Sequence, residues 1–495
     1  MGIVRNQAIK NSFFSYIGVA LGYVNLILLF PNFFSTEQFG LIQLLISVAE
    51  VYALVSAVGL ANSVTKFFPY YKTDDKHHNG FLTYLFLISF SGFIIASIIY
   101  LLFRPLIISA YIQKSAMFVD YYFILIPFAF FSLMFNVFEA TARAVFRTSF
   151  ATFVREVALR VLTTVGIFLF MYNILDFHSF VIYYILIYFV CAILIFIQII
   201  ITREYSFTVS FKYFQKTKLT EILKYGGFTL ISGAAMQTGL RIPALMIGSM
   251  VGLSMVGVYN LYYYVGSMIY VPMRALSRIS VPVIATAWRD NDLKKINDIY
   301  RRTSLIQLIL GLIIYIGVII NKHNLFYFLK NSEYVVNFIF FPIIGLGILI
   351  DVAVGLNSEI IVNSPKYKYD SVFNVVLFLV SVIANYILIP ISGGIGAAMG
   401  FVLAYFSFNF LKWLFLYRKY GMQPFDYKQL IVLFLGGVVF LIGDNIPVID
   451  NVFLDIIIRS SIVSLIYGVA ILVFRISPDL NERFTVYKRK LLKNK

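Results

Sequence analysis

Residues Glu221–Trp288 decide the fold of this chain: EILKYGGFTLISGAAMQTGLRIPALMIGSMVGLSMVGVYNLYYYVGSMIYVPMRALSRISVPVIATAW. The stretch reads as two long apolar helices, about Ile222–Met250 and Val256–Ala287, joined by a Gly/Ser turn. Three arginines and three prolines interrupt the apolar background, namely Arg241, Arg274, Arg278, Pro243, Pro272 and Pro282. A cation at bilayer depth costs roughly 2.5–3.5 kcal/mol and usually faces a partner or a wet cavity. Proline in a membrane helix likewise needs neighbours or water to satisfy the freed carbonyls. The stretch therefore predicts a polar lumen that can receive an anion.

The composition is that of an integral membrane protein. Of the 495 residues, 60% are hydrophobic and 13% are charged, and the mean hydropathy is +0.87. Soluble domains carry about 25% charged residues. Apolar runs long enough to cross about 30 Å of hydrocarbon recur along almost the whole chain. The net charge of +17 comes from basic residues between these runs, which favours membrane topology over nucleic-acid binding, so we expect no nucleic-acid partner.

We predict an all-α polytopic membrane protein with about fourteen transmembrane helices. The predicted spans are 11–31, 39–60, 81–103, 119–141, 155–172, 179–201, 222–250, 256–287, 303–320, 335–361, 371–390, 394–417, 429–445 and 454–475. Lys and Arg crowd alternate loops between these spans, whereas the opposite side receives only Arg104, Lys114, Lys322 and Lys330. By the positive-inside rule, both termini should be cytoplasmic.

An internal repeat divides the chain. Ser35–Leu44 resembles Gly252–Leu261 at an offset of 217, and Phe123–Pro127 resembles Phe338–Pro342 at an offset of 215. Six spans separate the copies, so both have the same orientation and the repeat is parallel. The expected domains are an N-lobe (1–201), a cytoplasmic interfacial linker (202–221), a C-lobe (222–417), two further helices (418–475) and a basic cytoplasmic tail (476–495). Each lobe should contain six helices.

Motifs of catalysis and metal binding are missing from the sequence. It contains no G-x-x-x-x-G-K-[ST] phosphate loop, no G-x-S-x-G elbow and no H-E-x-x-H helix. Cys191 is the only cysteine and lies inside a predicted span, and the four histidines fall in three different loops. We therefore expect the chain not to be an enzyme and to hold neither a cofactor nor a metal.

Charges inside the predicted spans are the candidate functional residues. Arg241 follows Lys224 by 17 residues, or about 25 Å along a helix, which is too deep to reach the cytoplasmic face, while snorkelling to the outer face is the alternative. Arg274 and Arg278 are four apart, so like charges share one helix face and favour a bound anion or water there; snorkelling to the cytoplasmic headgroups is the alternative. The candidate cations of the lumen are Arg241, Arg274, Arg278 and Arg143.

Three acids accompany these cations inside the spans, and each has either a coupling or a structural role: Glu50, Glu139 and Asp351. Glu139 and Arg143 are four apart, which favours a local ion pair. For Arg241, a structural pair with Glu50 competes with contact to an anionic substrate.

Several short stretches resemble one membrane-protein family in their order along the chain. They are Glu37–Gly40, Val58–Leu60 before Phe67–Tyr70, Val256–Tyr259, and Asn385–Pro390 before Gly394–Ala398. Together they resemble the polysaccharide flippases (Wzx type) of the multidrug/oligosaccharidyl-lipid/polysaccharide (MOP) exporter superfamily. The resemblance implies two lobes around a cavity that opens alternately to either side. It also implies transfer of undecaprenyl-pyrophosphate-linked oligosaccharide to the outer leaflet of the bacterial cytoplasmic membrane, for surface polysaccharide or O-antigen biosynthesis.

The partners implied are lipid-linked oligosaccharide and membrane lipids, with H+ or Na+ as candidate coupling ions and polysaccharide polymerase or assembly machinery as a candidate protein partner. The main alternative is an ion-coupled multidrug or organic-cation antiporter of the same superfamily, whose cavity should be acidic. A membrane glycan polymerase usually carries a large external loop, which the predicted topology lacks. A scaffold without transport activity would not need arginines inside the membrane.

Overall fold

The computed structural model describes residues 2–57, 59–73, 78–202 and 216–482. These residues form helices and turns and contain no strand, which confirms the predicted all-α class. The interfacial linker and the basic tail were predicted largely for segments 203–215 and 483–495, which lie outside the described residues.

The first part of the described chain contains twelve α-helices. They are α1 (Gly2–Tyr23), α2 (Phe30–Phe33), α3 (Thr36–Ser56), α4 (Leu60–Tyr71), α5 (Phe81–Leu102), α6 (Arg104–Tyr111), α7 (Ala116–Asp120), α8 (Leu125–Ala144), α9 (Thr148–Phe153), α10 (Leu159–Met171), α11 (Phe177–Ile201) and α12 (Lys216–Met250). Two π-helical turns, Val24–Leu29 and Val154–Ala158, connect α1 to α2 and α9 to α10.

The remaining described chain contains ten more. They are α13 (Leu253–Gly266), α14 (Tyr270–Arg289), α15 (Leu293–Ile320), α16 (Lys322–Phe328), α17 (Ser332–Val336), α18 (Phe340–Ala353), α19 (Asn357–Val362), α20 (Lys368–Tyr420), α21 (Tyr427–Asp444) and α22 (Val452–Val473). Helix α20 is broken at Ser392 and Gly393, where Gly393 adopts a φ of 58° that favours glycine. The break separates the predicted spans 371–390 and 394–417.

Polar caps fix where several of these helices begin. Ser35 forms a capping box with Gln38 at the start of α3, in which the Gln38 N–H donates to Ser35 Oγ at 3.1 Å and the Ser35 N–H donates to Gln38 Oε1 at 3.0 Å. The Asp176 carboxylate accepts from the Ser179 N–H at 2.9 Å and caps α11. These bonds satisfy N–H groups of the first helical turn, which have no acceptor within their own helix.

Ten helical segments in the described ranges are long and apolar enough to cross a membrane. They are Lys10–Phe33, Thr36–Ser56, Phe81–Leu102, Leu125–Ala144, Phe177–Ile201, Leu253–Arg289, Leu293–Ile320, Lys368–Tyr420, Tyr427–Asp444 and Val452–Val473. They coincide with eleven of the fourteen predicted spans, because α20 accounts for two.

The other three predicted spans are also helical but differ in charge or length. Span 155–172 lies on the π turn Val154–Ala158 and α10, and carries Arg155, Glu156 and Arg160. Span 222–250 lies on α12, whose first turns are charged. Span 335–361 is broken into α18 and α19 at Gly355, which has a φ of +82°.

The chain divides into two compact units. The first contains Met1–Leu261 and Ser381–Ala397, and the second contains Tyr262–Val380 and Ala398–Lys495. The units are defined by contacts within each part and not by similarity between the parts. The superposition of residues 1–201 on residues 222–417 as two lobes therefore stays a prediction.

Candidate functional site

A polar cavity of about 580 Å3 lies within the first unit. Residues of α3, α8, the π turn Val154–Ala158, α10, α11 and α12 line it. Seven of the lining residues are charged, and they are Arg143, Arg155, Arg160, Arg241, Glu50, Glu139 and Glu156. Four arginines against three glutamates leave the lining with a net charge of +1.

Helical spacing explains why α8 and α12 present polar groups to this cavity. From α8 come Ser132, Phe135, Asn136, Glu139 and Arg143, which recur at intervals of three and four residues along one face. From α12 come Gly233, Gln237 and Arg241, each four residues after the last. Each of the two helices therefore presents one polar stripe to the same space.

Glu139 is shared by two arginines. The Nη1 of Arg143 donates to its Oε1 at 2.8 Å, as the four-residue spacing predicts, and Arg155 contacts its Oε2. Arg155 also donates to Asn136 Oδ1 at 2.7 Å, and its guanidinium lies 4.4 Å from the ring centroid of Phe135. One carboxylate thus faces two cations, which is where the excess positive charge of the cavity arises.

Arg241 pairs with Glu50 across the cavity, from α12 to α3. The side chains remain 28% and 37% exposed, respectively, so both ions are wetted by the cavity. The ion pair between Arg241 and Glu50, which was predicted as the alternative to substrate contact, is therefore present. Arg241 also lines the cavity, where a ligand can reach it.

A π turn supplies the charges that sequence analysis missed. The N–H of Leu159 donates to the carbonyl of Val154, five residues earlier. Residues five apart are thereby brought to one face, so Arg155 and Arg160 both reach the cavity. Arg155 begins the predicted span 155–172 but was not selected as a site residue from the sequence, and it lies within the continuous helical stretch 148–171. The only signal was that these charges fall inside or at the edge of predicted span 155–172.

Two glycines on α1 make room for Arg160. A Cβ on Gly18 would lie within 2.5 Å of the Glu156 carbonyl oxygen, and a Cβ on Gly22 would lie 2.9 Å from Arg160 Nε. Small residues four apart let membrane helices approach closely. Arg160 also contacts the Glu156 carboxylate, so its guanidinium is held between α1 and the π turn.

The remaining predicted site residues belong to the second unit and are not among the residues that line this cavity. Arg274 and Arg278 are exposed on α14. Asp351 accepts hydrogen bonds from Tyr270 Oη at 2.9 Å and Asn409 Nδ2 at 2.8 Å. A lumen role for these three residues stays a prediction.

The second unit also contains a buried cation that sequence analysis did not single out. Lys412 has a side chain that is only 1% exposed. Its Nζ lies 2.7 Å from Asp370 Oδ1 and donates to Ser358 Oγ at 2.7 Å. Both partners are satisfied, which is the condition under which a charge is tolerated in a dry interior.

A bundle of helices long and apolar enough to span a membrane, with an arginine-rich cavity among them, defines a polytopic membrane protein. The chain belongs to the polysaccharide biosynthesis protein family, whose model matches residues 6–288. The match includes every charged residue of the cavity.

Two solved structures show the same fold. The lipid II flippase MurJ in an inward closed conformation matches with a TM-score of 0.73 and 16% identity, over 94% of this chain and 99% of the other. An inward-facing multidrug resistance MATE family transporter of the MOP superfamily matches with a TM-score of 0.61 and 14% identity, over 82% of this chain and 94% of the other. Comparison with curated protein sequences finds no match. The fold expected from the resemblance to the MOP superfamily is confirmed.

Proposed function

We propose that this protein moves a lipid-linked oligosaccharide diphosphate from the cytoplasmic to the outer leaflet by alternating access. The observation that carries the proposal is the cavity of the first unit, in which four arginines outnumber three glutamates on membrane helices. Family membership in polysaccharide biosynthesis supports a glycan substrate, and the matched MurJ is a lipid II flippase.

The chemistry of the cavity suits a diphosphate. Guanidinium groups bind phosphate oxygens through charge-assisted and often bidentate hydrogen bonds. Arg143 and Arg155 share Glu139, so one of them can turn to a phosphate while the other keeps the carboxylate paired. Binding therefore need not leave a carboxylate unpaired, which would be the costly outcome in a membrane interior.

The partly exposed ion pairs also leave the substrate a route for release. Arg143 and Arg155 are 45% and 36% exposed, respectively, and such wetted pairs are weak. A diphosphate can displace a carboxylate on arrival, and the carboxylate can reclaim the arginine when the substrate leaves. The same proposal includes an undecaprenyl carrier, coupling to H+ or Na+, and a polymerase or assembly partner, as the family resemblance implies. It places the protein in the bacterial cytoplasmic membrane, and the charge pattern places both termini in the cytoplasm.

The test is a flipping assay with purified protein in vesicles that contain a labelled undecaprenyl-diphosphate oligosaccharide. We expect the wild type to move label to the opposite leaflet and Arg155→Ala to lose most of that rate. Arg104→Ala is the matched control, because Arg104 is exposed and stacks on Phe123 at 4.9 Å without lining the cavity. Equal rates in wild-type and protein-free vesicles, or full activity of Arg155→Ala, would contradict the proposal.

Export of organic cations is the second candidate function, favoured by the three glutamates of the cavity. In that case Glu139 would bind the drug, and removing Arg155 would make the cavity more acidic and strengthen cation binding. The two functions therefore predict opposite effects of Arg155→Ala. Accumulation of a cationic dye in the same vesicles distinguishes them.

A further inference from the structure

A second cavity in the first unit, of about 300 Å3, has an almost purely apolar lining. It lies between α5, α8 and α11, all of which are long and apolar enough to span a membrane. Thr141 is the one polar residue of its lining, and its hydroxyl donates to the Val137 carbonyl at 2.9 Å. The groove therefore offers no polar group to a ligand.

Helix α8 is a wall shared by this groove and the arginine cavity. One of its faces presents Glu139 and Arg143 to the polar cavity, and the neighbouring face presents Phe131, Phe138 and Thr141 to the groove. Helix α11 is shared in the same way, since Tyr188 lines the polar cavity and Phe189 lines the groove. Anion-binding and hydrocarbon-binding surfaces thus lie back to back on two helices.

Aromatic rings from the three helices shape the groove. The ring centroids of Phe138 and Phe196 are 4.8 Å apart, those of Phe131 and Phe189 are 4.9 Å apart, and those of Phe86 and Phe138 are 6.4 Å apart. Each pair joins two different helices, so the rings line the groove without closing it.

We propose that this groove binds the isoprenoid chain of the lipid-linked diphosphate whose head group occupies the arginine cavity. The inference rests on the proposed function. A chain tethered to an anion at Arg143 has a higher effective concentration in the groove than a free acyl chain of the bilayer. Thr141 lines the groove and precedes Arg143, which lines the arginine cavity, by two residues on α8, so both spaces reach the same level of the helix.

The experiment measures binding of two ligands to the full chain in lipid nanodiscs. One ligand is a sugar diphosphate on a long polyprenyl chain, and the other is the same sugar diphosphate on a geranyl chain. Ile193→Trp fills the groove, and Ile197→Trp is the matched control, one turn further along α11 on a side chain that is 44% exposed and outside the lining. Phe131→Ala, which removes the ring that packs on Phe189, is a second groove variant should Ile193→Trp fail to fold.

We expect the groove variants to weaken the long-chain ligand about tenfold, because they remove packing contacts between the tethered chain and the groove, and to leave the geranyl ligand unchanged. Ile197→Trp should change neither. Wild-type affinity of both groove variants for the long-chain ligand would overturn the groove proposal, while loss of both ligands in Arg155→Ala would still support the proposed function. Failure of the wild type to bind either ligand would overturn both.

Discussion

Gly40 and Gly257 approach each other with a reciprocal contact. A Cβ on Gly40 would lie 1.8 Å from the Leu253 carbonyl oxygen, and a Cβ on Gly257 would lie 2.3 Å from the Thr36 carbonyl oxygen. In the repeat, which has an offset of 217, Gly40 corresponds to Gly257 and Thr36 corresponds to Leu253. Gly40 therefore contacts Leu253, and the equivalent residue Gly257 contacts Thr36, which is the equivalent of Leu253. Equivalent residues contact each other in this reciprocal way around a two-fold axis. The contact supports the predicted parallel repeat at this point of the chain.

Substitution at this contact should destabilise the protein. Gly257→Ala places a methyl group against the backbone of α3, which cannot move away as a flexible side chain could, so we expect a loss of about 1–3 kcal/mol. Gly437→Ala is the matched control, because nothing lies within 4 Å of a Cβ there and alanine is the better helix former. Thermal unfolding in detergent measures both. A melting temperature for Gly257→Ala equal to that of the wild type would refute the close approach.

Substitutions of Arg241 distinguish a substrate contact from a structural pair. If Arg241 meets a diphosphate, Arg241→Lys should keep part of the flipping rate, because lysine supplies charge without a planar two-pronged donor. Arg241→Ala should lose most of the rate at normal protein abundance.

The double variant Glu50→Gln with Arg241→Ala provides the control. A purely structural pair predicts low abundance for Arg241→Ala alone, from an unpaired carboxylate, and recovery of both abundance and flipping in the double variant. Normal abundance without flipping in both variants supports the substrate contact. Full flipping by Arg241→Ala would exclude it.

The Arg160 guanidinium lies in a narrow space between α1 and the π turn, which we call the Arg160 slot. A single added methyl group should disturb its position. Gly18→Ala brings a Cβ to 2.5 Å from the Glu156 carbonyl oxygen, so α1 must separate from the π turn and release the guanidinium. We expect flipping and diphosphate affinity to fall together. Gly233→Ala is the matched control, since Gly233 lines the same cavity but a Cβ there has nothing within 4 Å. Equal losses in both variants would show that the slot has no special role.

The predicted topology places Lys295 in the cytoplasm and Lys114 outside, and both side chains are exposed. A cysteine at Lys114 should react with an impermeant thiol reagent in intact cells, and one at Lys295 should react only after lysis. Cys191, the single native cysteine, is buried and should contribute little background. Labelling of Lys295→Cys and not Lys114→Cys in intact cells would reverse the assigned orientation.

Hydropathy predicted the fold because a membrane helix must be apolar over its whole length. Spacing predicted the pair of Glu139 with Arg143, since four residues form about one turn. Distance along the predicted helix placed Arg241 away from the cytoplasmic face, and it lines the cavity.

Arg155, Glu156 and Arg160 were not selected as site residues from the sequence. An α-helical wheel cannot bring residues five apart to one face, and nothing in the composition of Val154–Ala158 marks a π turn. Lys412 was missed for a different reason. Its partners Asp370 and Ser358 are 42 and 54 residues away in the chain, and such pairing leaves no periodic trace.

The π turn at Val154–Ala158 also lets the cavity tolerate a change in chain length. A π turn holds one more residue than the α-helical turn it replaces, so deleting Val157 lets the segment relax to a regular helix while the helices on both sides keep their orientation. Arg155 and Arg160 would then be four residues apart, about 40° around a regular helix, and both would still face the cavity. Comparing the flipping rate of this deletion with that of Arg155→Ala separates the geometry of the turn from the charge that it carries.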